Sequence, residues 1–242
     1  MFDHIINWEL RAGSHEFPGP HGGTCINEAA IVAAGFEYRE VASWRDCPSC
    51  FCPTLAQFAI MVNDGSPDHI RKLLMPLVSS LAGSKDEEGW VERARAEFIE
   101  REVYQDVVTP FMRHRKLYVE RAPELLPEID RLTESLLRDR SDPIQIVDAT
   151  GRLVYAIART LQRGGPIYWI VPRRMPVTVN WSDSPEETFT ADREMLDVDT
   201  AWAHASRALV RAFRIGTQAP AADTAKVVER MEVEKARALE RA

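Results

Sequence analysis

Three observations predict a mainly α-helical fold for this chain of 242 residues. Apolar residues recur at helical spacing through Val91, Ala94, Phe98, Tyr104, Val107 and Phe111, through Leu125, Ile129, Leu132 and Leu136, and through Val198, Trp202, Ala205, Leu209 and Phe213. Prolines and glycines stand where helices begin and end, as with Pro53 before "TLAQFAIMVND" and with Gly83 and Gly216 after apolar runs. β-Branched residues, by contrast, concentrate in one stretch, residues 143–181.

The elements follow in chain order. Gly and Pro crowd "RAGSHEFPGPHGG", which therefore reads as an ordered loop. Thr24 is the expected N-cap of a short buried helix that carries Glu28 in its first turn and stops at Gly35. Prolines bracket the cysteines of "WRDCPSCFCP", which makes that segment a turn before the Pro53 helix. Pro67 and Asp68 open a helix kinked at Pro76. Helix then continues from Glu87 to about Arg121, bent or divided at Pro110, and resumes from Leu125. Across 143–181, "IQIVDATGRLVYAI" reads as two strands about a D-A-T-G-R turn and "PIYWIVPRRMPVTVNW" as two more about Pro172 to Pro176, giving a small antiparallel β element. The rival reading of its first part is a helix through Ile144, Val147, Val154, Ile157 and Leu161 with Gly151 at its centre. Helix returns after Pro185, and a charged last helix from about Ala221 to Arg241 carries a thin apolar stripe. The expected organisation is a helical module over 1–121 and a helical region with a β insert over 122–242, or one continuous domain.

Composition narrows the function. With 45% hydrophobic and 28% charged residues the chain is ordinary globular material. Its longest uninterrupted apolar segment, Ala29 to Phe36, falls far short of the roughly 20 residues that cross a bilayer, so no membrane is expected. "MFDHIINWEL" lacks the basic and apolar pattern of a secretory signal, which places the protein in the cytoplasm. A net charge of -7 disfavours an extended nucleic-acid-binding face, while leaving room for a local basic patch. Neither the partner nor the oligomeric state is legible.

The four cysteines are the chemical feature. Cys25, Cys47, Cys50 and Cys52 all fall within residues 25–52, and cytoplasmic thiols seldom form structural disulfides. Cys47-Pro-Ser-Cys50 is a C-x-x-C pair, in which the turn lets two thiolates converge on one ion. Cys25, at a helix start, gains from the dipole and the free N–H groups. Those three sulfurs are candidate ligands, and the fourth is Cys52, His15 or His21. Ligand softness favours Zn2+, with an iron–sulfur cluster on all four cysteines as the minor alternative. The competing readings are plain buried thiols and a reversible disulfide.

The segments "SHEFPGPHGGTCINEAAIVAAGFEY", "DCPSCFCP", "FAIMVNDGSPD" and "LLMPLVSSLAGS" resemble a group of uncharacterised proteins of actinobacteria, alphaproteobacteria and their phages. The resemblance covers about residues 8–84 and implies a shared fold, without a reaction. Relatives with His at the position of Cys47 and Ser at that of Cys52 imply a ligand set of His15, Cys25, Cys47 and Cys50, with Cys52 spare.

The site is expected to be structural. A deaminase-type zinc hydrolase acting on a small molecule or nucleobase is the alternative, with Glu28 as its catalytic carboxylate. The spacing departs from that pattern, because Glu28 comes three residues after the cysteine and Pro48 lies inside the C-x-x-C. A thioredoxin-type redox motif lacks its βαβ setting. Asp64 and Asp68 are explained by a turn and an N-cap, and His69, His114 and His204 stand alone in helical segments. The expectation is a non-enzymatic, phage-related accessory or interaction protein, stabilised by zinc and engaging an unknown protein partner.

Overall fold

The computed structural model describes residues 9–14, 23–138, 140–165, 167–168, 177–179, 187–189 and 195–216. His15 and His21, the turn at Pro172 to Pro176, the opening at Pro185 and the helix expected over Ala221 to Arg241 lie outside the described residues. The architecture is mainly α, as the periodicity requires. Strand β1 (Glu9–Leu10) pairs in parallel with β2 (Gly23–Thr24), so residues well apart in sequence meet just before helix α1 (Ile26–Ala33). A 3-10 turn at Trp44–Asp46 leads through the cysteine turn into α2 (Pro53–Gly65), whose first residue is the proline. That proline loses no bond, since the first N–H groups of a helix have no partner inside it.

Prolines divide the middle of the chain as expected. Helix α3 (Asp68–Arg71) passes into a 3-10 stretch containing Pro76, and α4 (Val78–Leu81) ends before Gly83 at φ 77°. Helix α5 (Gly89–Val103) runs into a π turn at Tyr104–Val108 and then α6 (Thr109–Arg113). Pro110 lacks the N–H that an unbroken α-helix would use, and the widened turn before it absorbs that loss. Helix α7 (Lys116–Val119) precedes α8 (Leu126–Arg138), which buries Leu126, Ile129, Leu132 and Leu136.

Residues 143–164 correct the sequence reading. They form one helix, α9 (Pro143–Gly164), and the reading of "IQIVDATGRLVYAI" as two strands gives way to its rival. Asp142 starts the helix by accepting the Ile144 N–H at 2.9 Å, and Pro143 fits the first position. Gly151 is the cost of close packing rather than the mark of a turn: a Cβ there would meet the Met61 sulfur at 2.5 Å, where α9 crosses α2. The antiparallel element exists, but later in the chain. β3 (Ile167–Tyr168) pairs with β6 (Met195–Leu196), and β4 (Val177–Val179) with β5 (Glu187–Phe189). Helix α10 (Val198–Ala212) follows, capped by Asp197, with Gly216 beyond it at φ 89°.

Helix α9 is central, packing on α2, α5, α8 and α10. One cluster of buried side chains runs from Leu10 to Ala212 and includes Phe58, Ile99, Phe111, Val154 and Trp202, so both halves of the chain share a core. Among the described residues no helix is long and apolar enough to cross a membrane.

Candidate functional site

Cys25 rather than Thr24 is the N-cap of α1. Its Sγ accepts the Glu28 N–H at 3.4 Å, while the Glu28 carboxylate reaches back to the Cys25 N–H at 2.8 Å, a reciprocal capping box. Thr24 supplies its hydroxyl to the same carboxylate at 3.3 Å. The other Glu28 oxygen accepts the Val41 N–H at 3.2 Å, and Tyr38 hydrogen-bonds to Glu28 as well. Glu28 is fully buried, and these bonds tie the segment 38–41 to the start of α1. Burial, followed by the Glu28 charge, pushes the Cys25 thiol well above its ordinary value, so with no cation beside it the sulfur is a neutral cap. The Tyr38 phenol is raised by the same two causes.

Cys47 closes the 3-10 turn, its N–H donating to the Trp44 carbonyl at 3.1 Å. The turn continues with the Phe51 N–H on the Pro48 carbonyl at 3.0 Å, and Cys50 is anchored by its carbonyl, which accepts the Lys85 N–H at 3.0 Å. Both sulfurs are half-buried and free. Burial first, then the charges of Asp46 and of the neighbouring Cys50, push Cys47 up to about 12, with Arg39 opposing them. Cys47 and Cys50 thus sit at the two ends of one short turn, both with free thiols.

Cys52 belongs elsewhere. It is buried at the N-cap of α2, its N–H donating to Ser84 Oγ at 2.9 Å. Its thiol is raised by burial, against hydrogen bonds from the Leu55 N–H and the Arg95 guanidinium. Arg95, itself buried on α5, donates to the Ser84 carbonyl at 2.5 Å and to the Ile215 carbonyl at 3.0 Å. Sequence spacing missed this network, because its members come from four separate segments and only an arginine at a core-facing position hints at it.

Around the expected second half-site, Asp64 accepts the Gly13 N–H at 2.8 Å and the Asn63 side-chain amide at 3.0 Å, and that amide also donates to the Arg11 carbonyl at 2.7 Å. Asp68 is the first residue of α3, after an N-cap at Pro67, and holds Arg71 at 2.6 Å. His69 pairs with Asp199 at 3.0 Å, and the buried His204 lies 2.7 Å from Arg207 and 3.6 Å from Asp106 of the π turn. Among the described residues, no group of three or more His, Cys, Asp and Glu side chains is placed to hold a metal ion. What they assemble is the Cys47–Cys50 pair on one side and the Cys25–Glu28 capping box on the other.

No family model matches this chain, and neither a curated protein nor a solved structure matches it.

Proposed function

We propose that this is a non-catalytic interaction or regulatory protein whose N-terminal module carries a structural zinc ion. Cys47 and Cys50 would supply two thiolates, and the ion would draw in Cys25 and His15, the set implied by the resemblance to phage-related proteins; without it the three cysteines do not form a cluster. The observation that carries the structural reading is the engagement of Glu28. Both its oxygens accept hydrogen bonds from the surrounding backbone and side chains, so the carboxylate beside Cys25 is committed to the fold and not to moving protons. A closed tetrahedral site is the ordinary structural arrangement, and it would hold the cysteine turn against the start of α1. Free thiols suit a reducing compartment, and we place the protein in the cytoplasm. Its partner is a protein, in keeping with the accessory role.

Metal analysis of the purified chain tests this. About one zinc ion per chain is expected, lost in Cys50→Ser with a clear drop in melting temperature and no loss in Cys52→Ser. Metal-free protein that melts like Cys50→Ser overturns the zinc reading. Zinc retained in Glu28→Gln together with unchanged melting and a lost hydrolytic turnover would make the protein an enzyme instead.

A further inference from the structure

Beside the cysteine turn, and independent of any metal, a cleft of about 500 Å³ opens between the 3-10 turn, α2, α8 and the first turns of α9. Its walls carry Trp44, Arg45, Gln57, Arg131, Asp148 and Arg152. The volume lies within the range of small-molecule sites, which runs from roughly 300 to 1,000 Å³.

The charge in the cleft is uneven once the internal bonds are assigned. Asp148 accepts the Gln57 side-chain amide at 3.1 Å and pairs with Arg152 Nε at 2.8 Å. Asp142, also at the cleft, uses its carboxylate to cap α9. Both acids are thus engaged by the fold. Among the described residues, neither Arg131 nor Arg45 has a carboxylate partner; the Arg45 guanidinium rests 5.0 Å from the centre of the Trp44 ring. Three arginines against two aspartates leave this concave surface net positive in a chain of net charge -7, with the Arg45 guanidinium stacked on the Trp44 indole. Low-dielectric walls concentrate that positive potential. Guanidinium forks match the oxygens of phosphates and carboxylates, and an indole offers a stacking surface to a planar ring.

We infer that this cleft binds a small organic dianion bearing a planar ring, its phosphate or paired carboxylates held by Arg131 and Arg45 and its ring laid along the Arg45–Trp44 stack. The Gln57–Asp148 bond links α2 to α9 at the cleft, and Asp148 in turn holds Arg152.

Isothermal titration calorimetry of the full chain at low ionic strength tests the site with four probes. AMP carries ring and phosphate, phthalate carries ring and two carboxylates, adenosine has the ring alone and inorganic phosphate the charge alone. Saturable binding of AMP or phthalate with a dissociation constant below about 1 mM is expected, and at least tenfold weaker binding of the other two. A response to AMP alone makes the ligand an organic phosphate, and a response to phthalate alone makes it a dicarboxylate. Arg131→Ala and Trp44→Phe should each weaken binding, Arg131→Ala by about tenfold or more, with melting temperatures near that of the parent chain. No saturable heat from either AMP or phthalate overturns the proposal. So does adenosine binding as well as AMP, or Arg131→Ala leaving the affinity unchanged. Zinc content has no bearing on these outcomes, so the metal reading and this one fail separately.

Discussion

At the scale of single residues, Glu28 decides how the cysteine region is read. It was visible in the sequence as a first-turn acid, and its neighbour Thr24 was the natural cap by residue type. The structure moves the cap one residue on, to a sulfur, because the cap is chosen by which residue leaves the extended conformation last and not by hydrogen-bonding strength alone. Cysteine is a weak acceptor, and the reciprocal bond from Glu28 makes up the difference. Glu28→Gln replaces an acceptor by an amide whose NH2 group faces N–H and O–H donors. A loss of about 1–3 kcal/mol is expected in denaturant unfolding, the cost of a buried group left without its partner. Unchanged stability would detach the carboxylate from the fold and return it to the catalytic reading. The fate of Cys52 was legible only in part. The resemblance implied that it is spare, but nothing in local spacing could show that Arg95, forty-three residues on, would turn towards it.

At the scale of elements, helical periodicity located α8 well because it buries one stripe of apolar residues, and it also found α5 and α10, although α10 is buried on nearly every side. It failed over 143–164, where β-branched residues and a central glycine imitate strands and a turn. Tertiary packing overrides that preference: Gly151 lets α9 approach Met61 of α2, and Ile146, Val147, Val154 and Ile157 are buried together along the helix. The same kind of approach brings α2 against α10, where a Cβ on Gly65 would collide with the ring of the buried Trp202. Gly65→Ala is expected to destabilise by about 1–3 kcal/mol, as overpacking does. Adding Trp202→Phe removes the colliding edge, so the double variant should be more stable than Gly65→Ala alone, a coupling measurable in a double-mutant cycle. Additive losses would place the strain elsewhere. Arg115, just before α7, hydrogen-bonds to Asp130 of α8 and holds its carboxyl below the ordinary value of 3.8. A depressed acid contributes stability above its unfolded value and loses it as the pH falls through the folded one. The melting-temperature gap between the parent and Asp130→Asn should therefore be full above about pH 5 and close towards pH 3. Solvent screening of this partly exposed pair keeps it within about 1 kcal/mol. A gap that widens on acidification would contradict the assignment.

At the scale of the whole molecule, the sequence suggested either two regions meeting near residue 121 or one continuous domain, and composition could not choose, because a change of period is local while a core is shared. The packing gives a physical basis for choosing. Helices α2 and α5 of the first half bury their apolar faces against α9 and α10 of the second, and Arg95 of α5 reaches the Ile215 carbonyl. Residues 1–121 expressed alone would lose the cover that α9 and α10 give to α2 and α5, whose buried side chains include Phe58, Val62, Ile99 and Val103. At about 25 cal/mol for each Å² of apolar surface, four such side chains left in water cost on the order of 6–12 kcal/mol, comparable with the entire stability of a domain. The fragment should accordingly show no cooperative melting transition by circular dichroism, with or without added zinc, whereas the full chain shows one. If the fragment melts cooperatively on its own, the first half is an autonomous domain. If it does so only with zinc, the metal site contributes more folding free energy than the shared core, and the cysteine turn rather than α9 is what organises the fold.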